Sequence, residues 1–187
     1  MSKEERVLRL SRELTGQWTT PILLSLDENG GRFTPLRNKL NIVPSRLSAN
    51  LRKMMEDGLL LHLSPQERRH PLLPEYVLTE KGRLHREAAR AVQLSEEQMG
   101  HGRLSDKVWG ISILLALDYN HERFQEIRQS LVGITPRILS TRLQEFHDDG
   151  LVCKKVLEEP RPSFLYQLEK QVHQPVHQLS LDLASLL

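Results

Sequence analysis

The sequence contains two copies of one pattern, and this internal repeat constrains the fold more than any other feature. When Trp18 is placed on Trp109, the 23-residue stretches that begin at these residues share 11 identical positions. After an insertion of one residue at or beside Gly133, residues 42–59 and 134–151 share 8 of 18 positions. A period of about 90 residues is too long for one solenoid repeat and fits a small domain with its own core.

The segment between the two copies has the character of a junction. Residues 96–107 lose the apolar periodicity of their neighbours, and two glycines flank His101. Glycine in a stretch without periodicity marks a loop. We therefore expect a first domain at residues 1–98, a linker at 99–105 and a second domain at 106–187.

Each copy predicts three helices, as the first copy illustrates. Residues 18–26 carry apolar side chains at three- and four-residue spacing, which is typical of a helix that buries one face. Thr34 followed by Pro35 is a capping pair that starts a second helix. A third helix is expected at 44–57, because Gly58 supplies a stop directly after it.

The third helix of each copy has one apolar face, which we expect to point inward. In the second copy a Thr135–Pro136 pair supplies the cap that the first copy lacks, since Val43 stands at the corresponding position. The predicted inward residues are Leu47, Leu51 and Met54 in the first copy and Leu139, Leu143 and Phe146 in the second.

Two short apolar segments follow the stop glycine in each copy and are expected to pair as strands. They span 59–63 and 76–78 in the first copy and 151–156 and 164–168 in the second. Three helices followed by a hairpin is the order of a winged helix-turn-helix unit. The sequence therefore predicts a mainly α fold with small β-hairpins (α+β), built as two tandem winged helix-turn-helix domains.

Several of these motifs together resemble the HxlR-type family of winged helix-turn-helix transcriptional regulators. They are Trp18 with its apolar run, the Arg32–Phe33 pair, the stretches IVPSRLS and ITPRILS, the Asp-Gly-Leu stops, and YVLTEKG after the first wing. The second wing departs from the pattern where LEKQV replaces the usual Leu-Thr-x-x-Gly ending. The resemblance implies a regulator that binds double-stranded DNA, usually as a dimer of single-domain chains. A fused pair resembles such a dimer within one chain. The sensing cysteine of some relatives is absent from the N-terminal region.

The outward face of the third helix holds the candidate DNA contacts, because a recognition helix reads base edges in the major groove. Arg137 and Gln144 suit guanine and adenine, so we expect the second copy to read sequence, whereas the first copy suits phosphate contacts. The wing arginines are placed to reach a minor groove or its phosphates. The candidate residues are Ser45, Arg46, Ser48, Ala49, Arg52 and Lys53 in the first helix, Arg137, Ser140, Thr141 and Gln144 in the second, Arg68, Arg69 and Arg161 in the wings, and the paired Arg32 and Arg123.

Composition and the remaining motifs exclude several other functions. Apolar runs such as 110–117 are far shorter than the roughly 20 residues of a membrane span. No nucleophile–base arrangement, phosphate-binding glycine loop or catalytic metal signature is visible, which predicts a non-enzyme without cofactors. His173 and His177 have metal-ligand spacing, but Pro175 is expected to interrupt their helix, so we interpret them as surface residues. Cys153, the single cysteine, is interpreted as a small half-buried hydrophobe; the alternative is a reactive thiol.

Two functional hypotheses remain open at this point. The favoured one is a cytoplasmic, nucleoid-associated transcriptional regulator with two non-identical recognition helices, which acts as a monomeric pseudo-dimer or as a true homodimer; the sequence does not identify a small-molecule effector. The alternative is a protein-interaction subunit, since tandem winged-helix pairs of this length also resemble small subunits of chromosome-organising complexes. The net charge of only +2 is compatible with either hypothesis.

Overall fold

The computed structural model describes residues 1–27, 30–158 and 163–187. These residues form a mainly helical fold with small antiparallel sheets, which confirms the predicted α+β class. The helices are α1 (Lys3–Glu13), α2 (Thr19–Ser25), α3 (Phe33–Leu40), α4 (Pro44–Glu56), α5 (Glu80–Met99), α6 (Gly110–Asp118), α7 (Phe124–Ser130), α8 (Pro136–Asp148) and α9 (Lys170–Ser185). The strands are β1 (Gly31–Arg32), β2 (Leu60–His62), β3 (Glu75–Leu78), β4 (Val152–Leu157) and β5 (Ser163–Leu168).

The chain packs into two compact units. Gly16–Arg90 form the first unit, and Met1–Thr15 together with Ala91–Leu187 form the second unit. Helix α1 therefore belongs to the second unit although it precedes the first repeat. The first unit contains α4 and the second contains α8, the helices on which the candidate DNA contacts lie.

In the first unit, α4 is built as the sequence predicts. Leu47, Leu51 and Met54 are buried, and Gly58 follows the helix with a positive φ of 71°. This left-handed conformation is readily adopted by glycine and ends the helix. The buried face fixes which side of α4 is turned to solvent.

The start of α3 differs from the prediction, because Thr34 lies inside the helix and Arg32 is the cap. Gly31 and Arg32 form strand β1, which pairs with β3 in a three-stranded antiparallel sheet of order β1-β3-β2. The extended backbone that this pairing requires places the helix start directly after Arg32. Strand β1 was not predicted, since a two-residue strand leaves no periodicity in the sequence.

The second unit repeats the architecture of the first with a two-stranded wing. Leu139, Leu143 and Phe146 of α8 are buried, as predicted. Strands β4 and β5 pair antiparallel from Val152 opposite Leu168 to Leu157 opposite Ser163. These positions confirm the predicted hairpin within one residue at each described end.

Helix α6 forms the centre of the second unit, with α1 and α9 packed against it and against each other. A buried hydrogen bond joins the hydroxyl groups of Ser11 and Ser112 at 2.8 Å, and the Arg12 guanidinium lies 4.5 Å from the centre of the Trp109 ring. The two apolar ends of the chain therefore pack against each other.

The prediction that Pro175 interrupts the last helix is wrong, since α9 continues through it. Proline removes one helical hydrogen bond and costs about 3 kcal/mol in a helix interior. Here Val172, Val176 and Leu179 bury the same face, and the carbonyl of Pro175 accepts a hydrogen bond from the Ser95 hydroxyl at 3.1 Å. Burial of about 2 kcal/mol per large apolar side chain outweighs the proline penalty.

The cap of α8 provides a stability prediction with a matched control. The Thr135 hydroxyl accepts a hydrogen bond from the Ile138 backbone N–H at 3.3 Å, whereas Val43 at the start of α4 provides no such bond. We expect Thr135→Ala to lower the free energy of unfolding by about 1 kcal/mol and Val43→Thr to raise it by a similar amount. Urea denaturation measures both. Equal midpoints for Thr135→Ala and wild type would contradict the capping role.

Candidate DNA interface

Helix α4 presents a continuous outward face opposite its buried leucines. All six predicted contacts on this helix are exposed: Ser45, Arg46, Ser48, Ala49, Arg52 and Lys53. The guanidinium groups of Arg46 and Arg52 form no hydrogen bond or ion pair with any residue that the structure describes. Lys53 differs, since its ammonium group pairs with Asp57 at 2.9 Å. The face therefore offers two unpaired arginines to an anionic ligand.

Helix α8 presents the corresponding face in the second unit. The predicted contacts Arg137, Ser140, Thr141 and Gln144 are all exposed. Within the described parts of the chain, the Arg137 guanidinium has no hydrogen-bond or ion-pair partner. The side-chain amide of Gln144 donates to Asp148 at 2.8 Å, which leaves its amide oxygen as an acceptor. Arg137 lies in the first turn, where a recognition helix reaches base edges.

The arginines of the first wing are engaged inside the wing itself. The backbone N–H of Arg69 donates to Glu75 at 3.0 Å, and its guanidinium pairs with the same buried carboxylate. The Arg68 guanidinium donates to the carbonyl oxygens of Leu63 at 2.7 Å and Pro71 at 3.2 Å. These contacts fold the loop between β2 and β3, and the predicted DNA contact of Arg68 and Arg69 stays a prediction.

The remaining candidate arginines have different surroundings. Arg32 is exposed at the end of β1, opposite Glu75 in the sheet register. Arg123 is exposed before α7, and its guanidinium lies 3.8 Å from Glu126. Arg161 falls outside the residues that the structure describes.

The structure also places the residues that the sequence assigned to other chemistry. Cys153 is half-buried in β4 opposite Gln167, which favours its interpretation as a small hydrophobe. The His177 ring lies 3.2 Å from the carboxylate of Asp118. In the described ranges, no three His, Cys, Asp or Glu side chains are grouped to hold a metal ion. No helix in the same ranges has the length and apolarity that a membrane span requires.

Comparison with known families decides the classification. The sequence pattern of the HxlR-like helix-turn-helix family matches residues 13–100 and again residues 104–179, which together cover most of the chain. The chain belongs to the HxlR-like helix-turn-helix family. Its members are DNA-binding transcriptional regulators. The match supports a tandem duplication of the HxlR-like domain and gives no support to a chromosome-organising interaction subunit. No curated protein and no solved structure gives a significant match.

The two HxlR-like copies differ at the N-terminal ends of α4 and α8. Arg137 and Ile138 stand where the first copy has Ser45 and Arg46. Ile138 is 38% exposed and lies at the edge of the outward face of α8. Ile138 is not among the contacts predicted on this helix from the sequence, which were Arg137, Ser140, Thr141 and Gln144. Its position could be read from the sequence, because Ile138 lies outside the Leu139, Leu143 and Phe146 series and about 100° around the helix from Leu139.

The Arg69–Glu75 contact in the first wing predicts an acid sensitivity. Hydrogen bonds from the Arg69 backbone and guanidinium lower the pKa of Glu75 below its ordinary value of 4.5. A lowered folded-state pKa contributes stability above the ordinary value, and this contribution is lost as the pH falls through the folded-state pKa. We therefore expect Glu75→Gln to unfold more easily at pH 7 and to lose less stability between pH 5 and pH 3. Urea denaturation across this range tests it, and parallel pH profiles for the two proteins would refute it.

Proposed function

We propose that this HxlR-like chain is a sequence-specific regulator of transcription whose two non-identical recognition helices, α4 and α8, act on one operator as an intramolecular pseudo-dimer. The observation that carries the proposal is the pair of exposed helix faces, which differ at matched positions. Ser45, Ala49 and Arg52 on α4 correspond to Arg137, Thr141 and Gln144 on α8. Unlike faces read unlike half-sites, so the operator is not a perfect inverted repeat.

In this proposal α8 supplies most of the sequence preference. Arg137 is free to place two hydrogen bonds on guanine, because no described residue competes for its guanidinium. Thr141 lies one turn further along the same exposed face. Gln144 can accept a hydrogen bond through its amide oxygen, while Asp148 fixes the orientation of its amide group. These side chains together form a polar surface suited to base edges.

Helix α4 supplies mainly affinity. Its exposed cations, Arg46 and Arg52, are accompanied by the small side chains of Ser45 and Ala49, which reach less far into a groove. Arginine contacts with phosphate release counterions and stabilise the complex with any sequence. Arg32 and Arg123, both exposed, are proposed to add phosphate contacts. The protein acts in this scheme on DNA in the cytoplasm, and we expect neither catalysis nor a cofactor.

Selection from a library of random duplexes tests the proposal. Purified protein is incubated with the library at about 0.15 M salt, and the bound duplexes are sequenced after several rounds. We expect one discrete motif with two unlike halves. Recovery of duplexes without a shared motif would overturn sequence-specific regulation, and a perfectly palindromic motif would overturn the use of two different helices.

A further inference from the structure

Ile138 is an exposed apolar side chain at a position where the duplicated helix carries a cation. It is the third residue of α8 and corresponds to Arg46 of α4. The side chain remains 38% exposed although its neighbours Leu139 and Leu143 are buried. The Thr135 hydroxyl binds the Ile138 backbone N–H at 3.3 Å, so the backbone that carries this side chain is fixed. Ile138 is therefore presented to the outside by an ordered helix turn.

Ile138 and Thr141 form an apolar strip along one edge of the exposed face. Residues three apart in a helix are surface neighbours, so Thr141 lies on the same side of α8 as Ile138. The Thr141 hydroxyl forms no hydrogen bond with the described residues. The matched pair on α4, Arg46 and Ala49, offers no comparable strip. The difference between the copies is thus an apolar surface beside the guanidinium of Arg137.

In the major groove, the only apolar group on a base edge is the C5-methyl group of thymine. Polar side chains identify the other bases through hydrogen bonds, which Ile138 cannot form. Among the base edges of the major groove, an exposed isoleucine in the first turn of a recognition helix therefore gains most free energy where a thymine methyl group faces it.

We propose that Ile138, together with the Thr141 methyl group, selects a thymine in the α8 half-site, next to the base that Arg137 contacts. This inference rests on the proposed function, because it assigns one determinant of the sequence preference to α8. Ile138 acts through apolar contact, so it adds discrimination without adding charge. The α4 half-site lacks this thymine requirement.

Single replacement of thymine by uracil tests the inference, because uracil differs only by the missing methyl group. Each thymine of the selected duplex is replaced in turn, and the Kd is measured by fluorescence polarisation for wild type and for Ile138→Ala. We expect one position in the α8 half-site at which uracil weakens wild type by roughly fourfold, the equivalent of one buried methyl group. For the Ile138→Ala protein, the same replacement of thymine by uracil should change the Kd by less than about 1.5-fold. The control is Leu181→Ala on α9, a more exposed apolar residue at 51% exposure, which should retain the fourfold effect.

The possible outcomes separate this inference from the proposed function. Suppose that wild type selects a motif, but every uracil replacement changes the Kd of Ile138→Ala as much as that of wild type. The proposed thymine contact is then wrong, and the proposal of a sequence-specific regulator stands. If wild type selects no motif, both are wrong. An unchanged circular dichroism melting curve for Ile138→Ala establishes that a lost effect arises from the contact and not from unfolding.

Discussion

Replacing Arg137 with alanine is expected to lower discrimination between the preferred operator and variants at one guanine by about 1–3 kcal/mol, or roughly 5- to 150-fold. The physical reason is that the Arg137 guanidinium is exposed in the first turn of α8 and is unpaired among the described residues. A guanine gives it two acceptors, and no other base presents both in the same places. Fluorescence polarisation with the selected operator and its single-base variants measures the effect.

Arg52→Ala is the matched control for this prediction. Arg52 is also exposed and unpaired within the described chain, but it lies in the third turn of α4 and suits phosphate contact. We expect its removal to weaken binding to all sequences alike and to reduce the salt slope by about 1. The assignment of α8 as the sequence reader would be contradicted if Arg137→Ala weakened every duplex equally while Arg52→Ala altered the preference.

Gly82→Ala is expected to destabilise the first unit by about 2 kcal/mol. A methyl group at Gly82 would lie 2.0 Å from the carbonyl oxygen of Leu59. That oxygen is held in place, since it accepts hydrogen bonds from the backbone N–H of Thr79 at 3.0 Å and from the Thr79 hydroxyl at 3.2 Å. Overpacking costs about 3 kcal/mol in such a site, and the better helix propensity of alanine returns about 1 kcal/mol. The cost of the clash therefore exceeds the gain in helix propensity, and the free energy of unfolding decreases.

Gly58→Ala is the control that separates the destabilising effect of the steric clash from the effect of backbone conformation. Gly58 has a φ of 71° but open space around its missing side chain, so alanine there costs only about 1 kcal/mol of backbone strain. Chemical denaturation should rank the unfolding free energies as wild type, Gly58→Ala and Gly82→Ala, from highest to lowest. A Gly82→Ala protein as stable as wild type would show that α5 does not pack closely on the Leu59 carbonyl.

The parts of the fold that depend on neighbouring residues were predictable from the sequence. Thr135 followed by Pro136 identified the start of α8 because a hydroxyl cap acts within three residues. Gly58 identified the end of α4 for a similar local reason. The continuation of α9 through Pro175 was missed, since it depends on burial against residues distant in sequence. The membership of α1 in the second unit was unpredictable on the same grounds.

In the candidate interface, too, the sequence predicted the features that depend on nearby residues and missed those that depend on the folding of a long loop. The exposure of Arg52 and Arg137 followed from helix periodicity once Leu51 and Leu139 were taken as buried. The contact between Arg69 and Glu75 did not follow, because no pattern predicts how the long loop between β2 and β3 folds back on itself. Periodicity could therefore give the side of each helix that faces solvent, whereas the conformation of the wing required the structure.

In the proposed pseudo-dimer, one chain uses both α4 and α8 on a single operator. Native mass spectrometry of the protein with the selected duplex tests it most directly, because it counts the chains bound to each duplex. We expect one chain per intact duplex, and weaker binding at the same stoichiometry when either half of the motif is scrambled. Two chains on the intact duplex and one chain on each half-scrambled duplex would contradict it, since each half would then bind a separate chain.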